Sequence, residues 1–369
     1  MRLDVQLLIY VYMGICVSLL LFNLLYICSD AANKRRSKHP GRSLLDLQKK
    51  IRMYDETGQI TKKEHKKNQK ALSHVRRLEH FHWAVEKLMV EMPRETAAYL
   101  SACEGDFCYL AMVYQKKDEM QKAYFAKLLG VYGMGGSGSY DELKKILVKM
   151  TYSPSVYTRE NALWVLYRSG SIEAVVRAFL QMNRNGVFHY GKLLSDGLLS
   201  FSGDKKKLAK ELWRCRDQLA VDYVLAVMQF IRMSQGGYER EFSGLLEEEG
   251  ADQELKLEAL RYFRKYRYDP IYPGLLAIMR GEQDMGWEYQ AVTALTLENY
   301  PGEETEEVLK EVLGHPNWYV RYNAAETLAA SGAKQESFAD VMHGGDRYAK
   351  EILQYRLERS RQREGGNGK

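Results

Sequence analysis

Imidazole groups bind metal ions and transfer protons near neutral pH, and three of the eight histidines, His74, His80 and His82, lie close together. On a helix, the spacing of His80 and His82 turns their rings about 200° apart, so both cannot face one metal ion. His74 and His82 are two helical turns, or about 12 Å, apart. We interpret all three as polar-face residues, and the sequence predicts no metal site, no cofactor and no catalytic residue.

A glycine-rich stretch at residues 133–138, GMGGSG, invites interpretation as a phosphate-binding loop. Such a loop follows a strand and usually carries a Lys-Ser/Thr pair that places an ammonium and a hydroxyl beside the phosphates. Here a predicted helix that ends near Val131 precedes it, and no such lysine is present. Residues 139–142, SYDE, have the pattern of a capping box for the next helix. We therefore favour an inter-helix loop.

Residues 261–268, RYFRKYRY, alternate cations with aromatic rings. This mixture suits phosphate contacts combined with stacking on bases or sugars. The alternative is an ordinary amphipathic helix with a basic outer face. Nucleic acid is disfavoured as a partner because the basic charge of the chain lies elsewhere. Arg261, Arg264 and Arg267 remain candidates for contacts with a protein partner.

Aromatic side chains are abundant, with 26 tyrosines and five tryptophans. Large rigid rings bury much area at low entropy cost, which makes exposed ones good anchors for a protein partner. Trp318 and Tyr319, at a predicted helix start, also have a second interpretation in which they hold neighbouring structural units together. The aromatic partner-binding candidates are Trp287, Tyr289, Trp318, Tyr319 and Tyr322.

The elements that carry these residues follow a repeat of about 33 residues. Turn-forming positions recur at successive intervals of 33, 32, 33, 33, 33, 33 and 30 residues. A fixed period of this length indicates stacked copies of one small unit, each of which needs its neighbours to bury its apolar side. The positions are Gly105, Gly138, Gly170, Gly203, Gly236, Asp269-Pro270, Gly302 and Gly332.

A small residue followed four positions later by a large one recurs in the first helix of each unit. This pattern suits two closely packed helices, because the small residue permits close approach and the large residue fills the gap. The small-residue register is Ala162, Leu194, Ala226, Ala259, Ala291 and Ala324. The large-residue register is Leu166, Leu198, Phe230, Phe263, Leu295 and Leu328.

Residues 315–328, HPNWYVRYNAAETL, resemble a HEAT repeat, with a proline that opens the first helix, then Val-Arg, Ala-Ala and Leu. Residues 153–170 are similar to it more loosely, through Pro154, Arg159 and Ala162. The resemblance covers residues 93–345 and implies an all-α fold, an α-solenoid of about seven to eight HEAT-like helix pairs. The tetratricopeptide alternative has a similar period, but its tryptophan, tyrosine and proline positions do not recur.

HEAT-like arrays mostly act as scaffolds, although some are enzymes. The di-iron hydroxylases among them carry repeated His-Glu pairs, and this chain has no His-Glu dipeptide. Bilin lyases also use HEAT-like folds. The resemblance therefore leaves one alternative function, a lyase-like enzyme acting on a ligand held in the solenoid groove.

Residues 5–28 are predicted to form a single transmembrane helix. The stretch from Val5 to Ile27 has no charged residue and, as a helix of about 34 Å, exceeds the thickness of a hydrocarbon core. It is longer than the apolar region of a signal peptide and lacks a good cleavage site. The cations that follow place the C-terminal domain in the cytoplasm and the N-terminus outside the plasma membrane.

Residues 29–92 are predicted to form a basic helical collar beneath the membrane. Residues 34–77 carry fifteen Lys/Arg and four acids, a charge of +11, while the whole chain is +6. Two helices are expected here, with a bend at residues 55–58, and the second helix is expected to cap the first repeat. An anionic membrane surface is a candidate partner, and the lipid-facing candidates are Lys34, Arg35, Arg36, Lys38, Lys62, Lys63, Lys66 and Lys67.

Together these features predict a membrane-tethered protein-interaction scaffold, not an enzyme, with no cofactor. Residues 93–345 form the solenoid, and residues 346–369 form a terminal helix and a disordered tail. The expected partner is a protein, with a membrane-embedded enzyme complex as the suggested class. The tether would act by raising the local concentration of that partner.

Overall fold

The computed structural model of the protein describes residues 5–36, 40–135, 141–282, 285–331 and 335–366. Over these ranges the chain is all-α, with 21 α-helices, several short 3-10 helices and no strand. The chain divides into two compact units, which we call unit 1, Met1–Ser169, and unit 2, Gly170–Lys369. The fold class predicted by the 33-residue period is therefore confirmed.

Unit 1 contains the first nine helices in chain order. They are α1 Val5–Arg36, α2 Pro40–Thr57, α3 Lys62–Leu72, α4 Val75–Glu91, α5 Pro93–Ala102, α6 Glu104–Tyr114, α7 Glu119–Val131, α8 Asp141–Met150 and α9 Val156–Ser169.

Unit 2 contains the remaining twelve helices. They are α10 Ile172–Arg184, α11 Gly191–Leu199, α12 Lys205–Arg214, α13 Val221–Ser234, α14 Glu239–Glu247, α15 Gln253–Phe263, α16 Tyr272–Arg280, α17 Trp287–Thr296, α18 Glu303–Glu311, α19 Trp318–Ala330, α20 Ala339–His343 and α21 Arg347–Gly366.

Helix α1 contains the predicted span of residues 5–28. Its segment Ile9–Ile27 is long and apolar enough to cross a membrane, and none of that segment is buried. A core helix of a soluble protein would be mostly buried, so this segment is not part of the hydrophobic core. By length and composition it qualifies as a transmembrane span or as a signal sequence.

The basic collar differs from the prediction, because three helices, α2, α3 and α4, occupy it instead of two. The predicted second helix was wrong at Ser73 and His74, since His74 adopts an extended conformation and separates α3 from α4. The bend predicted at residues 55–58 is confirmed only at Gly58, which has a positive φ of 65°, because residues 55–57 continue α2.

The collar helices belong to the packed core of unit 1. Helix α2 packs against α4 and α5, and α3 packs against α6. A chain of hydrogen bonds connects them, because Lys50 Nζ donates to Asn68 Oδ1 at 2.7 Å and Asn68 Nδ2 donates to the Tyr99 hydroxyl at 3.2 Å. Asp106 of α6 accepts bonds from the side chain of Gln69 and contacts the ring of His65, both on α3.

From α5 to α20, the described chain alternates eight first helices with eight second helices. In each unit, several helices pack against their counterparts one repeat away. In unit 1, α7 packs against α9 and α6 against α8. In unit 2, the first helices α11, α13, α15, α17 and α19 pack in series, and second helices pair as α10 with α12 and α16 with α18. This is the stacking expected of a helical repeat array.

The predicted turn positions are largely confirmed. Gly170, Gly203, Gly236, Asp269-Pro270 and Gly302 lie between helices. Gly105 was predicted wrongly, because it lies in the first turn of α6. Gly138 and Gly332 lie outside the described residues.

The small-then-large register forms the core of the array. All six small-register positions are buried, and five of the six large-register positions are buried. Leu295 is the exception, since it is only half-buried while Ala294 and Leu297 beside it face the core. The period therefore identifies the inward face but, in α17, misplaces one position on it.

The two repeats that resemble HEAT repeats in sequence share the same backbone contacts. Arg159 Nη1 donates to the carbonyl oxygens of Ser153 and Pro154 at 2.8 and 2.9 Å. Arg321 Nη1 donates to those of His315 and Pro316 at 2.6 and 2.9 Å. Each arginine thus satisfies the carbonyls of the loop that opens its own helix, which explains the Pro-to-Arg spacing of five residues.

Asparagines two positions later connect each of these repeats to the repeat before it. Asn161 Nδ2 donates to Ala123 O at 2.9 Å, and Asn323 Nδ2 donates to Ala291 O at 2.7 Å. Both acceptors lie on the preceding first helix. The side chains therefore fix the register between adjacent repeats.

Helices α7 and α9 of unit 1 pack against each other at Gly130. This glycine is buried beneath the Trp164 ring, and a Cβ atom at Gly130 would overlap that ring. Arg168 lies over the same ring at 5.4 Å and donates to Gly130 O at 3.0 Å. A glycine inside a helix is ordinarily unfavourable, so its presence here reflects packing.

We expect Gly130→Ala to destabilise unit 1 by about 1–3 kcal/mol, because an added methyl group overpacks the α7–α9 contact. The measurement is amide hydrogen exchange in α7 and α9 of the full chain. Gly244→Ala is the matched control, since Gly244 lies within α14 and a Cβ there would meet nothing within 4 Å. That control should gain about 0.5–1 kcal/mol. Equal protection gains in both variants would contradict the close approach.

Candidate functional site

The aromatic candidates lie at the N-terminal ends of two successive first helices. Trp287 begins α17, and Trp318 and Tyr319 begin α19. Because α17 packs against α19, residues one repeat apart become neighbours. The rings of Trp287 and Tyr319 stack with centroids 5.7 Å apart and planes at 15°. These rings contact the neighbouring repeat and are also available to a partner, since Trp318 and Tyr319 remain 50% and 56% exposed.

Tyr322 lies beside Trp318 on α19, and a side chain of α21 holds its ring in place. Its ring lies 4.7 Å from that of Trp318. Arg356 of α21 donates from Nη1 to the Tyr322 hydroxyl at 2.7 Å and lies over the ring at 4.7 Å. Arg356 is buried and also pairs with Glu326. A hydrogen-bonded and stacked ring loses little further freedom when a partner binds.

Two aromatic residues of α21 that are not among the sequence-based candidates complete the surface. Tyr348 and Tyr355 are 69% and 49% exposed. With Trp318, Tyr322 and Ile352 they line an open groove of about 550 Å³ between α19 and α21. The spacing of Tyr348, Ile352 and Tyr355 is an apolar helical stripe that could have revealed this groove. We call the whole set the aromatic face, which comprises Trp287, Trp318, Tyr319, Tyr322, Tyr348 and Tyr355.

The groove also carries charge. Arg321 and Glu351 lie among its rings. Glu351 is paired with Arg347 at 2.6 Å, and Arg321 lies over the Tyr348 ring at 5.9 Å. The groove therefore has an apolar floor and charged groups at its margin, which is the composition of a protein-interaction surface.

Tyr289 is not part of this face, and its predicted exposure was wrong. It lies two residues after Trp287 on the same helix and is therefore turned about 200° away. Its side chain is 8% exposed, and burial raises the pKa of its hydroxyl. Tyr289 consequently packs in the core while Trp287 points outward.

The three arginine candidates are engaged within unit 2. Arg261 and Arg232 both pair with the buried carboxylate of Glu258, at 3.3 and 2.6 Å. Arg264 pairs with Glu298 at 2.8 Å, one repeat further along. The Arg232 and Arg264 pairs connect neighbouring repeats, whereas the Arg261 pair lies within α15.

Arg267 is similarly occupied. It pairs with Asp269 at 2.7 Å and lies over the Tyr300 ring at 5.5 Å. The rings between the arginines, Tyr262 and Phe263, are fully buried. Helix α15 ends at Phe263, and Tyr266 and Tyr268 beyond it are half-buried. The segment is therefore a helix end followed by a turn, with two of its four rings in the core.

The basic collar candidates lie on two elements. Lys62, Lys63, Lys66 and Lys67 are exposed on α3. Lys34, Arg35 and Arg36 lie in the last turn of α1, and Lys38 is outside the described residues.

The histidine and glycine candidates differ in outcome. His74 is exposed, but His82 is half-buried, so the polar-face prediction was wrong for His82. In the described part of the chain, no group of three or more His, Cys, Asp or Glu side chains could hold a metal ion. Gly133 and Gly135 follow α7 with positive φ. The predicted capping box at residues 139–142 begins outside the described residues.

The terminal helix predicted within residues 346–369 is present as α21, which ends at Gly366. It packs against α19, where Arg356 and Leu353 are buried. Residues 367–369 lie outside the described residues.

Comparison with known proteins identifies one family. Residues 272–349, which extend from α16 into α21, match HEAT repeats. No curated protein matches the chain. The match and the all-helical structure support a HEAT-like helical repeat protein. HEAT repeats generally mediate protein–protein interactions, and their fold is typically non-catalytic.

We expect Tyr289→Ala to destabilise the protein more than Trp287→Ala does. Removing the buried Tyr289 ring should cost about 3 kcal/mol of stability, because it leaves a core cavity. Removing Trp287, whose ring is 40% exposed, should cost only about 1 kcal/mol from the lost stacking. Chemical denaturation of the full chain measures both, and Tyr289→Phe serves as the conservative control. A larger loss from Trp287→Ala would contradict the assignment of inward and outward faces.

Proposed function

We propose that this protein is a membrane-tethered scaffold whose aromatic face holds a partner protein near the inner surface of the plasma membrane. The observation that carries the proposal is the aromatic face itself, in which rings of α17 and α19 contact one another and Tyr348 and Tyr355 of α21 line the adjoining groove. Exposed aromatic clusters of this kind are typical anchors of protein interfaces. The generally interaction-mediating role of HEAT repeats supports the same conclusion.

The proposed tether is α1, with the N-terminus outside and the helical units in the cytoplasm. The apolar, unburied segment Ile9–Ile27 supports it. The exposed lysines of α3 support a second contact, in which an anionic lipid surface attracts Lys62, Lys63, Lys66 and Lys67 at about 1 kcal/mol per well-placed cation.

The proposed partner is a protein, and the proposed membrane location favours a membrane-embedded enzyme complex as its class. Both molecules would then diffuse in two dimensions, and tethering would replace a search through the cytoplasm by a local one. This mechanism requires no bond chemistry. Nucleic acid is disfavoured, since the arginines of residues 261–268 are paired with carboxylates.

We expect the full chain to remain in the membrane pellet after alkaline carbonate extraction and to retain its first 28 residues. Leu21→Arg should weaken retention, because a central arginine costs about 2.5–3.5 kcal/mol of insertion energy. Leu45→Arg is the control, since Leu45 is also exposed but lies on α2 outside the apolar segment. Recovery of a shorter chain that starts beyond the apolar segment would identify a signal sequence and refute the tether.

We expect proximity labelling from the C-terminus in living cells to tag a specific membrane protein. The triple variant Trp318→Ala, Tyr348→Ala, Tyr355→Ala should reduce that labelling at least tenfold, which corresponds to about 1.4 kcal/mol. Tyr157→Ala is the matched control, because Tyr157 is 74% exposed but lies on α9 in unit 1.

The result is interpretable only if the triple variant keeps its far-UV circular dichroism and membrane location. Unchanged labelling with the triple variant, or an equal loss with Tyr157→Ala, would refute the aromatic face as the binding surface.

A further inference from the structure

Unit 1 contains an open cleft of about 570 Å³ that the proposed scaffold function does not use. It lies between α4, α5 and the end of α7. We call it the α4–α7 cleft, and it is lined by His82, Val85, Glu86, Met89, Ala97, Leu100, Ser101, Glu104, Val131, Tyr132, Gly133 and Met134. Its volume is in the range of about 300–1,000 Å³ that small-molecule sites occupy.

The walls of the cleft are mostly apolar. Val85, Leu100 and Met134 are buried and form its base. Met89 and Val131 are partly exposed at its margin. Methionine side chains adapt to irregular apolar ligands because they are flexible and polarisable.

A hydrogen-bonded His–Tyr pair lies on one side. His82 Nδ1 is 3.1 Å from the Tyr132 hydroxyl, and His82 Nε2 is 3.5 Å from a Glu86 carboxylate oxygen. Both contacts are satisfied when Nε2 carries the proton and the Tyr132 hydroxyl donates to Nδ1. Burial lowers the pKa of His82, with Glu86 opposing and Lys127 adding to the shift, and burial raises the pKa of Tyr132. Both shifts favour the uncharged form of each side chain.

The charged groups of the lining are both acidic. Glu86 and Glu104 are carboxylates, and the lining contains no lysine or arginine. The ion contact that the structure gives Glu86 is with His82. Acidic residues in two other grooves are paired with arginines instead, since Glu173 pairs with Arg177 and Glu351 pairs with Arg347. Even within a unit whose collar is strongly basic, this cleft presents hydrogen-bond acceptors and negative charge.

We propose that the α4–α7 cleft binds a small apolar molecule that carries a protonated amine. The apolar base takes the hydrocarbon part of the ligand. Glu86 and Glu104 at the margin take the ammonium group, and the oxygen atoms of Tyr132 and Ser101 are further acceptors within the lining. An anionic ligand of the same shape is repelled by the two carboxylates.

The test uses the full chain in lipid nanodiscs, with methionine methyl groups labelled with carbon-13. The probe is 4-phenylbutylamine, and the neutral and anionic comparisons are 4-phenylbutanol and 4-phenylbutyrate. Met89→Leu and Met134→Leu assign the two methyl signals of the cleft. We expect both signals to shift with the amine, with a dissociation constant at least fivefold lower than that of the alcohol. The butyrate should shift neither signal.

Variants separate the two parts of the site. Glu86→Gln with Glu104→Gln should lower the affinity for the amine to that for the alcohol, while the alcohol binds as before and so reports an intact cleft. Glu91→Gln is the matched control, since Glu91 is exposed at the end of α4 and does not line the cleft. Ala97→Phe should fill the cleft and abolish binding of both.

Three outcomes would overturn the proposal. The first is that no probe shifts Met89 or Met134. The second is that the amine and the alcohol bind equally well to the unmodified chain. The third is that Glu91→Gln reduces amine binding as much as the double variant does. None of these outcomes bears on the aromatic face, whose test uses different residues in unit 2.

Discussion

Unit 2 depends on the close packing of successive first helices, from α11 to α19, against one another. A single helix pair has too little apolar surface to fold alone, so the stability of each repeat comes from its neighbours. Small residues such as Ala259 and Ala324 permit the approach. Polar side chains then fix it, as when Thr296 donates to Leu260 O at 3.0 Å and Thr327 donates to Ala294 O at 2.7 Å. Each such bond satisfies a buried hydroxyl and sets the register between repeats.

The same register produces the aromatic face. Because equivalent helix starts fall at one edge of the array, an aromatic residue at the start of α17 meets one at the start of α19. Exposed rings would ordinarily be mobile, but Tyr322 is held by the buried Arg356. The surface is thus organised before a partner arrives, which reduces the entropy cost of binding. A surface of this kind favours protein recognition over catalysis, since its polar groups do not converge on one reacting position.

Much of the fold could be predicted from the sequence, because turns and alanines at a fixed interval are local signals. The candidate site was predicted only in part, because it depends on the direction in which each side chain points and on the residues that it contacts. The two-residue offset between Trp287 and Tyr289 decides which ring is buried, and spacing alone does not state which of them faces the core. Arg264 looked like a free cation because its acid, Glu298, lies a full repeat away. Tyr348 and Tyr355 were missed because their helix lies beyond the last recognised repeat.

The small size of the aromatic face is consistent with the proposed tether. A groove of about 550 Å³ with a few exposed rings would support only modest affinity for a partner that diffuses freely in the cytoplasm. When both molecules are held in one membrane, the effective concentration reaches the millimolar range, and a weak interface is then largely occupied. A weak interface also exchanges partners quickly, because affinity differences lie mostly in the dissociation rate. The proposed anchor therefore relaxes the demand on the binding surface, and a few preorganised rings at one edge of a repeat array are sufficient for a scaffold of this design.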